Sequence, residues 1–297
     1  MKIRVSTATA SLLKLKNYCI SVKPRTLYFL LSGKCGGECL YCNQKNGYLA
    51  RVKWPEFDFE EVNKKIKSST AGRICFQCLY GERYIKIIEN IVEKINAEVP
   101  VSVSINAVEE EKMKILREKG VERLGIGLDC ASERIFIKWK KNVPSWKEHL
   151  NSLMKARKIF GNATCHLIAG LGENDEEIIN IMSYLSKNKI KVALFAYVKD
   201  NETMVDLGRY RAIQIARYFI EKNEGRFYLE DGKIIEMEIP YVNEEPFLTS
   251  GCPDCNRPFY NERVTKIYNY PYKVGGKVVE KALKEAEKYA GIYIIDE

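Results

Sequence analysis

The chain has no long apolar run. Its longest apolar segments, TLYFLLSG and VALFAYV, fall far short of the ~20 residues that a membrane helix takes, and the N-terminus lacks the pattern of a secretory leader. There is no low-complexity tract, no tandem repeat and no block of one charge: the net charge of +9, from 48 Lys and Arg against 39 Asp and Glu, is dispersed. Such a charge could steer an acidic protein or a nucleic acid, but no recognisable RNA-binding motif or stacking aromatic signature accompanies it. With only three glutamines, a Lys/Glu-rich surface of thermophile type accounts for the balance. These absences lead to the expectation of a soluble, cytoplasmic protein with no membrane and no nucleic-acid partner.

Apolar residues make up 46% of the 297, enough for one large α/β domain or two ordinary ones. Short β-type runs near 27–32, 73–79, 101–106, 123–129, 163–170 and 191–198 alternate with helical patterns, as a parallel sheet of βα units requires. A helix is expected near 59–68, with Asp58 and Glu61 as a capping box. Another is expected near 84–95, where Tyr84, Ile87, Ile88, Ile91, Val92 and Ile95 recur on one face. Further helices are expected over 109–119, 145–160, 175–187 and 204–222, with Gly161 closing the second of these. Six βα units predict an α/β fold, a partial (β/α)6 barrel of TIM type, whose reactive residues sit at the C-terminal ends of the strands. The expected organisation is an N-terminal extension over 1–23, a barrel core over 24–222 and a C-terminal extension over 223–297. In the last, Asp231-Gly232 marks a hairpin turn, 244–275 is irregular, and Val278, Val279, Ala282, Leu283 and Ala286 share one face of a closing helix.

Ten cysteines in a large chain without a leader point to metal or redox chemistry rather than to disulfides. Three of them, Cys35, Cys39 and Cys42, fall within KCGGECLYCNQ. Three thiolates in one loop can hold three irons of a [4Fe–4S] cluster and leave the fourth open, whereas the spacing is not that of a two-cysteine zinc hairpin. Gly36 and Gly37 let the loop wrap closely, and Tyr41 directly precedes the third cysteine.

This stretch resembles the signature of the radical S-adenosylmethionine (SAM) superfamily, C-x3-C-x2-C with an aromatic before the last cysteine. The resemblance implies that the open iron binds the methionine moiety of SAM, that electron transfer yields a 5′-deoxyadenosyl radical, and that Tyr41 belongs to the cofactor site. Through LIAGLGE it implies that Ile168, Gly170 and Glu173 support the adenine, with His166 where the motif expects a glycine. GLDCASE resembles the NLDTS stretch of biotin synthases, making Asp129 a candidate for the ribose hydroxyls. Glu82 of LYGER, where the superfamily often carries Gly-Gly-Glu, is a candidate for the methionine amine or a helix N-terminal carboxylate.

Two C-x-x-C pairs remain, Cys75 with Cys78 and Cys252 with Cys255. Together they suffice for a second, auxiliary [4Fe–4S] cluster or a zinc; buried free thiols are the plainer reading. Three cysteines with Ser250, Thr249 or an arginine would also serve. Cys75 and Cys165 resemble the biotin synthase positions that hold a [2Fe–2S] sulfur donor, but the third cysteine of that set is missing from VSVSINA. Cys19 and Cys130 read as small apolar fillers.

Barrel size and the biotin-synthase-like stretches imply that the second cluster is a sulfur source. RVSTATASLLKLKN and SGCPDCNRPFYNE look like the archaeal two-component lipoate (lipoyl) synthases. That resemblance implies sulfur insertion into an octanoyl chain on a lipoyl domain or glycine-cleavage H protein, through an apolar tunnel. It also implies a second radical SAM component and a reductant protein such as ferredoxin as partners. Arg257 and Arg263 would contact the carrier or the cluster. A biotin synthase or another biotin-synthase-like radical SAM enzyme is the alternative; of a different class is a non-catalytic metal-binding RNA-interaction or scaffold protein.

Overall fold

The computed structural model describes residues 1–49, 51–95 and 98–295. Eight strands form one sheet: β1 (Lys2–Val5), β2 (Thr26–Leu31), β3 (Glu56–Asp58), β4 (Arg73–Gln77), β5 (Val101–Ile105), β6 (Val121–Asp129), β7 (Thr164–Ala169) and β8 (Lys191–Ala196). Their order is β8-β7-β6-β5-β4-β2-β1-β3. The six strands β2 and β4 to β8 are mutually parallel and coincide with the six expected runs. In β2 all six residues are buried, because one face packs on helices and the other faces the barrel interior.

β1 and β3 add antiparallel strands beyond β2. Neither was anticipated, nor was the helix Thr7–Leu12 between β1 and β2. Ile3 and Val5 do alternate and are fully buried, but a four-residue run carries too few periods to be read.

The connecting helices are Phe59–Ile66, Glu82–Lys94, Glu110–Glu118, Trp146–Phe160, Asp175–Lys187 and Leu207–Lys222. Asp58 caps the first of them through the backbone N–H of Glu60, not through a box with Glu61. Capping boxes form instead at Ser145 with Glu148 and at Asn174 with Glu177, while Gly161 closes its helix at φ 71°. A short helix, Glu133–Trp139, follows β6 directly. No helix among the described residues is long and apolar enough to cross a membrane.

Beyond the barrel, the strands Arg226–Glu230 and Lys233–Ile239 meet at Asp231-Gly232, and Gly291–Ile294 pairs in parallel with the second of them. The helix Gly276–Glu287 buries Ala282 and Ala286. The irregular stretch before it returns to the barrel, where residues 250–257 bridge the edge strand β8 and the start of β2. Ser250 Oγ accepts the Leu194 N–H at 3.0 Å, and Thr26 Oγ1 donates to the Asp254 carbonyl at 2.9 Å. Asn256 accepts the Arg25 N–H at 3.0 Å and donates to the Lys23 carbonyl at 3.0 Å.

Gly251 lets this segment lie flat on β8: its φ is +117°, and a Cβ there would stand 2.7 Å from Ala193 Cβ. Gly251→Ala therefore combines backbone strain with overpacking, at a cost of about 1–3 kcal/mol. Chemical denaturation reads this; wild-type stability would mean that the segment is not seated on β8 as described.

Candidate functional site

The loop after β2 is tied down on both sides. The Gly36 N–H donates to the Tyr80 carbonyl at 2.8 Å, and Tyr84 OH donates to the Lys34 carbonyl at 2.7 Å. On the far side, the Glu38 and Leu40 N–H groups donate to the carbonyls of Lys141 and Trp139, at 2.8 and 2.9 Å. Of the two glycines in the loop, Gly37 is needed for close approach rather than unusual torsion, since a Cβ would lie 2.8 Å from Val143 Cγ1. The positive φ, +139°, belongs to Gly33.

So held, Cys35, Cys39 and Cys42 line one end of a cavity of about 210 Å³. Burial pushes the Cys39 thiol up and that of Cys42 to about 12, so ligating a metal through them must release protons. Among the described residues no three His, Cys, Asp or Glu side chains gather tightly enough for a single metal ion. A zinc would need its sulfurs ~2.3 Å from one point. Three cysteines of one loop around a shared cavity are a donor set that an iron–sulfur cluster, with one thiolate to each of three irons, can use.

Asp129 ends β6 at φ +66° and also lines this cavity. Its Oδ2 accepts the Tyr41 hydroxyl at 2.5 Å and the Lys140 ammonium at 2.9 Å. Burial pushes its carboxyl up, but Lys140, together with the hydrogen bonds from Tyr41 and Lys140, holds it below the ordinary carboxylate range. Lys140 is itself buried and had no sequence signal: it is one of two adjacent lysines in WKKNVP. The ring of Tyr41 lies 6.4 Å from Trp139, and Trp139 lies 5.3 Å from Tyr197, forming an aromatic wall beside the cysteine loop.

The other expected cofactor positions divide. Ile168 lines the cavity. Gly170 turns the chain at φ +102°. Glu173 points away from the cavity: its two oxygens accept the N–H groups of Gly170 and Leu171 at 2.8 and 2.9 Å, and Arg209 pairs with it at 3.2 Å. Glu82 is exposed, pairs with Lys112 at 3.3 Å, and lines a neighbouring cavity of about 510 Å³. Both carboxylates shape their turns or surface rather than face Cys35, Cys39 and Cys42.

His166 does face the first cavity. Its ring packs on Phe195 at 5.4 Å, and Nδ1 lies 3.5 Å from Ser104 Oγ. Room for it comes from Gly125 on the adjacent strand, where a Cβ would stand 2.9 Å from Nε2. Burial pushes its pKa down to about 4, so the imidazole is neutral at neutral pH.

Cys75, Cys252 and Cys255 line the same cavity. They stand close enough that Cys252 and Cys255, after burial itself, are the next causes raising the Cys75 pKa. Cys78 also lines the cavity but stands apart from these three: burial alone raises its pKa, with no contribution from the other thiols. The reason is geometric. C-x-x-C on an extended chain spreads its sulfurs along ~10 Å of backbone, whereas the turn at Cys252, closed by the Cys255 N–H on the Cys252 carbonyl at 3.2 Å, gathers them. Cys165 is buried outside the cavity lining. Ser250 and Thr249 spend their hydroxyls on backbone groups. Arg257 enters the cavity, stacked over Phe195 at 4.1 Å, while Arg263 pairs with Glu202 at the surface at 2.7 Å. The second thiol group thus sits by the strand starts, not at the C-terminal ends where every motif was expected.

Residues 29–185, more than half of the chain, match the radical SAM superfamily. The chain belongs to that superfamily. A biotin synthase of Persephonella marina is 33% identical over 166 residues, 51% of this chain and 47% of that protein. The match therefore spans about half the length of that relative. A GTP 3′,8-cyclase of Campylobacter lari is 23% identical over 248 residues, 75% of this chain and 73% of its own. The FeFe-hydrogenase maturase of Carboxydothermus hydrogenoformans shares the fold, with a TM-score of 0.53 at 17% identity over 73% of this chain and 56% of that one. This radical SAM protein is biotin-synthase-like by homology, and none of these relatives singles out a lipoate synthase.

Lys140→Met would strand the Asp129 carboxylate in a buried site at a cost of about 3–5 kcal/mol, and Asp129→Asn/Lys140→Met should recover most of it. Denaturation of the single and double variants measures the coupling. Equal stability of the two would mean that Lys140 does not neutralise Asp129.

Proposed function

We propose that the chain is a radical SAM sulfur-insertion enzyme of the biotin-synthase-like group. One observation carries this reading: the three loop cysteines and a second group, Cys75, Cys252 and Cys255 with Cys78 beside it, open onto the same cavity. The set at Cys35, Cys39 and Cys42 would hold the SAM-binding [4Fe–4S] cluster, and Cys75, Cys252 and Cys255 a second, auxiliary iron–sulfur cluster. When bound, the first cluster and SAM supply a 5′-deoxyadenosyl radical that removes hydrogen from an unactivated carbon.

The chain's own residues bind and orient. Asp129, fixed by Tyr41 and Lys140, keeps Oδ1 for the ribose hydroxyls. Ile168 offers an apolar face to the adenine, and the aromatic wall of Tyr41, Trp139 and Tyr197 excludes water from the cysteine loop. Between the two cysteine sets the acceptor would meet Phe195, His166, Ser104 and Asn106.

Two acceptors compete. The C-x-x-C turn at 252–255 supports a lipoyl synthase, acting on an octanoylated lipoyl domain or H protein with a second radical SAM component and a ferredoxin-type reductant. The polar stretch of Gln77, Ser104, Asn106 and His166 departs from the apolar tunnel expected for an octanoyl chain and favours a biotin-synthase-like acceptor with polar groups.

Anaerobic reconstitution tests the shared part. Wild type should carry about eight irons, and the Cys35→Ala/Cys39→Ala/Cys42→Ala variant about four, as two [4Fe–4S] clusters require. Cys252→Ala/Cys255→Ala should still form 5′-deoxyadenosine but transfer no sulfur, and Cys78→Ala should keep its full iron content. Sulfur transfer by the Cys252/Cys255 variant would sink the proposal. Mass spectrometry of octanoylated carrier and of dethiobiotin, each incubated with enzyme, SAM and reductant, decides between the acceptors.

A further inference from the structure

Each sulfur of the second set faces a side-chain hydrogen-bonding group from a different barrel strand. Gln77 Nε2 of β4 lies 3.1 Å from Cys75 Sγ, Thr164 Oγ1 of β7 lies 3.4 Å from Cys252 Sγ, and Tyr28 OH of β2 lies 3.5 Å from Cys255 Sγ. Tyr28 differs from the others in having no freedom to turn away. Its oxygen accepts the Asn256 N–H at 2.9 Å and the Arg257 N–H at 3.0 Å. A phenol has a single proton to give, and with both amides donating into the oxygen that proton is left to Cys255. The ring is buried and wedged edge-on against Tyr260 at 5.3 Å.

We propose that Tyr28 is a positioning residue for the second iron–sulfur cluster: it fixes the 252–257 turn through two backbone amides and donates its hydroxyl proton to the Cys255 sulfur, raising the cluster's reduction potential. The inference rests on the auxiliary-cluster reading above. Hydrogen bonds to cluster sulfurs are among the determinants of potential, and partners one bond removed from the metal orient and tune its ligands. A donor stabilises the added negative charge of the reduced state, so its loss makes reduction harder. Arg257 Nη1, 3.8 Å from the same sulfur, is a weaker second donor, placed there by the backbone that Tyr28 holds.

The test uses the full chain with Cys35, Cys39 and Cys42 replaced by alanine, so that any cluster present is the second one. Tyr28→Phe is added, both proteins are reconstituted anaerobically, and iron content, EPR-monitored potential and exchangeable-proton couplings in H2O and D2O are compared. The expected result is equal iron, a negative shift in potential and loss of one exchangeable-proton coupling. Equal iron with an unchanged potential and an unchanged coupling overturns the role of Tyr28. If Tyr28→Phe loses its iron, difluorotyrosine at position 28 replaces it, keeping both amide contacts while strengthening the O–H donor. The potential should then rise, and no shift overturns the inference. No iron in the parent variant overturns the auxiliary-cluster reading itself, and this inference falls with it.

Discussion

The architecture depends on how a partial barrel disposes of its two unclosed ends. The six parallel strands do not close into a barrel: β1 and β3 pair beyond β2, but β8 remains an edge and the interior is left open, and buried polar groups without partners are costly. Here residues 250–257 span the gap. The amide of Asn256 satisfies the chain entering β2, the hydroxyl of Ser250 satisfies an edge amide of β8, and Arg257 donates to the Leu194 carbonyl at 3.3 Å. The Asn256 contacts join residues more than 200 positions apart in sequence, and together with those to β8 they wall one side of the cavity.

The same closure brings Cys252 and Cys255 to Cys75. The two ends of the cavity then differ in electrostatics. At the cysteine loop after β2, the buried ammonium of Lys140 is matched to Asp129. At the floor, Arg73 hydrogen-bonds Ser102 and Glu122, each at 2.7 Å, and Arg123 reaches Thr164 at 3.5 Å. Both guanidiniums lower the pKa of Cys252 against the larger upward push of burial. Cationic groups held rigidly beside thiols favour a net-negative group at that end, and the Arg257 guanidinium reinforces them.

The six parallel strands were legible because each is a compact apolar run between turn signals, and the helices because their periodicity is sustained over two or more turns. The loop cysteines were legible because three thiols in one irregular segment have few other uses. What stayed hidden depends on long-range packing. β1 is too short to show a period, Lys140 looks like any surface lysine until helix Glu133–Trp139 turns it inward, and Tyr28 reads as one more apolar residue of a buried strand. The place of Cys78 was not legible because the spacing C-x-x-C is blind to backbone conformation: the same interval gathers sulfurs in a turn and separates them along a strand.

Glu173 makes a related point about motifs. LIAGLGE was read as a set of groups aimed at a ligand, yet its carboxylate is spent on its own turn, receiving two backbone N–H groups and an arginine. The turn in which it engages sets Gly170 at a positive φ and presents Ile168 to the cavity. In this motif the polar residue that is most conspicuous in sequence acts on the backbone, and the apolar residue near it is the one that lines the cavity. Tyr28 follows the same logic at the other end of the cavity, where an aromatic residue counted as core carries a hydroxyl that faces the Cys255 sulfur.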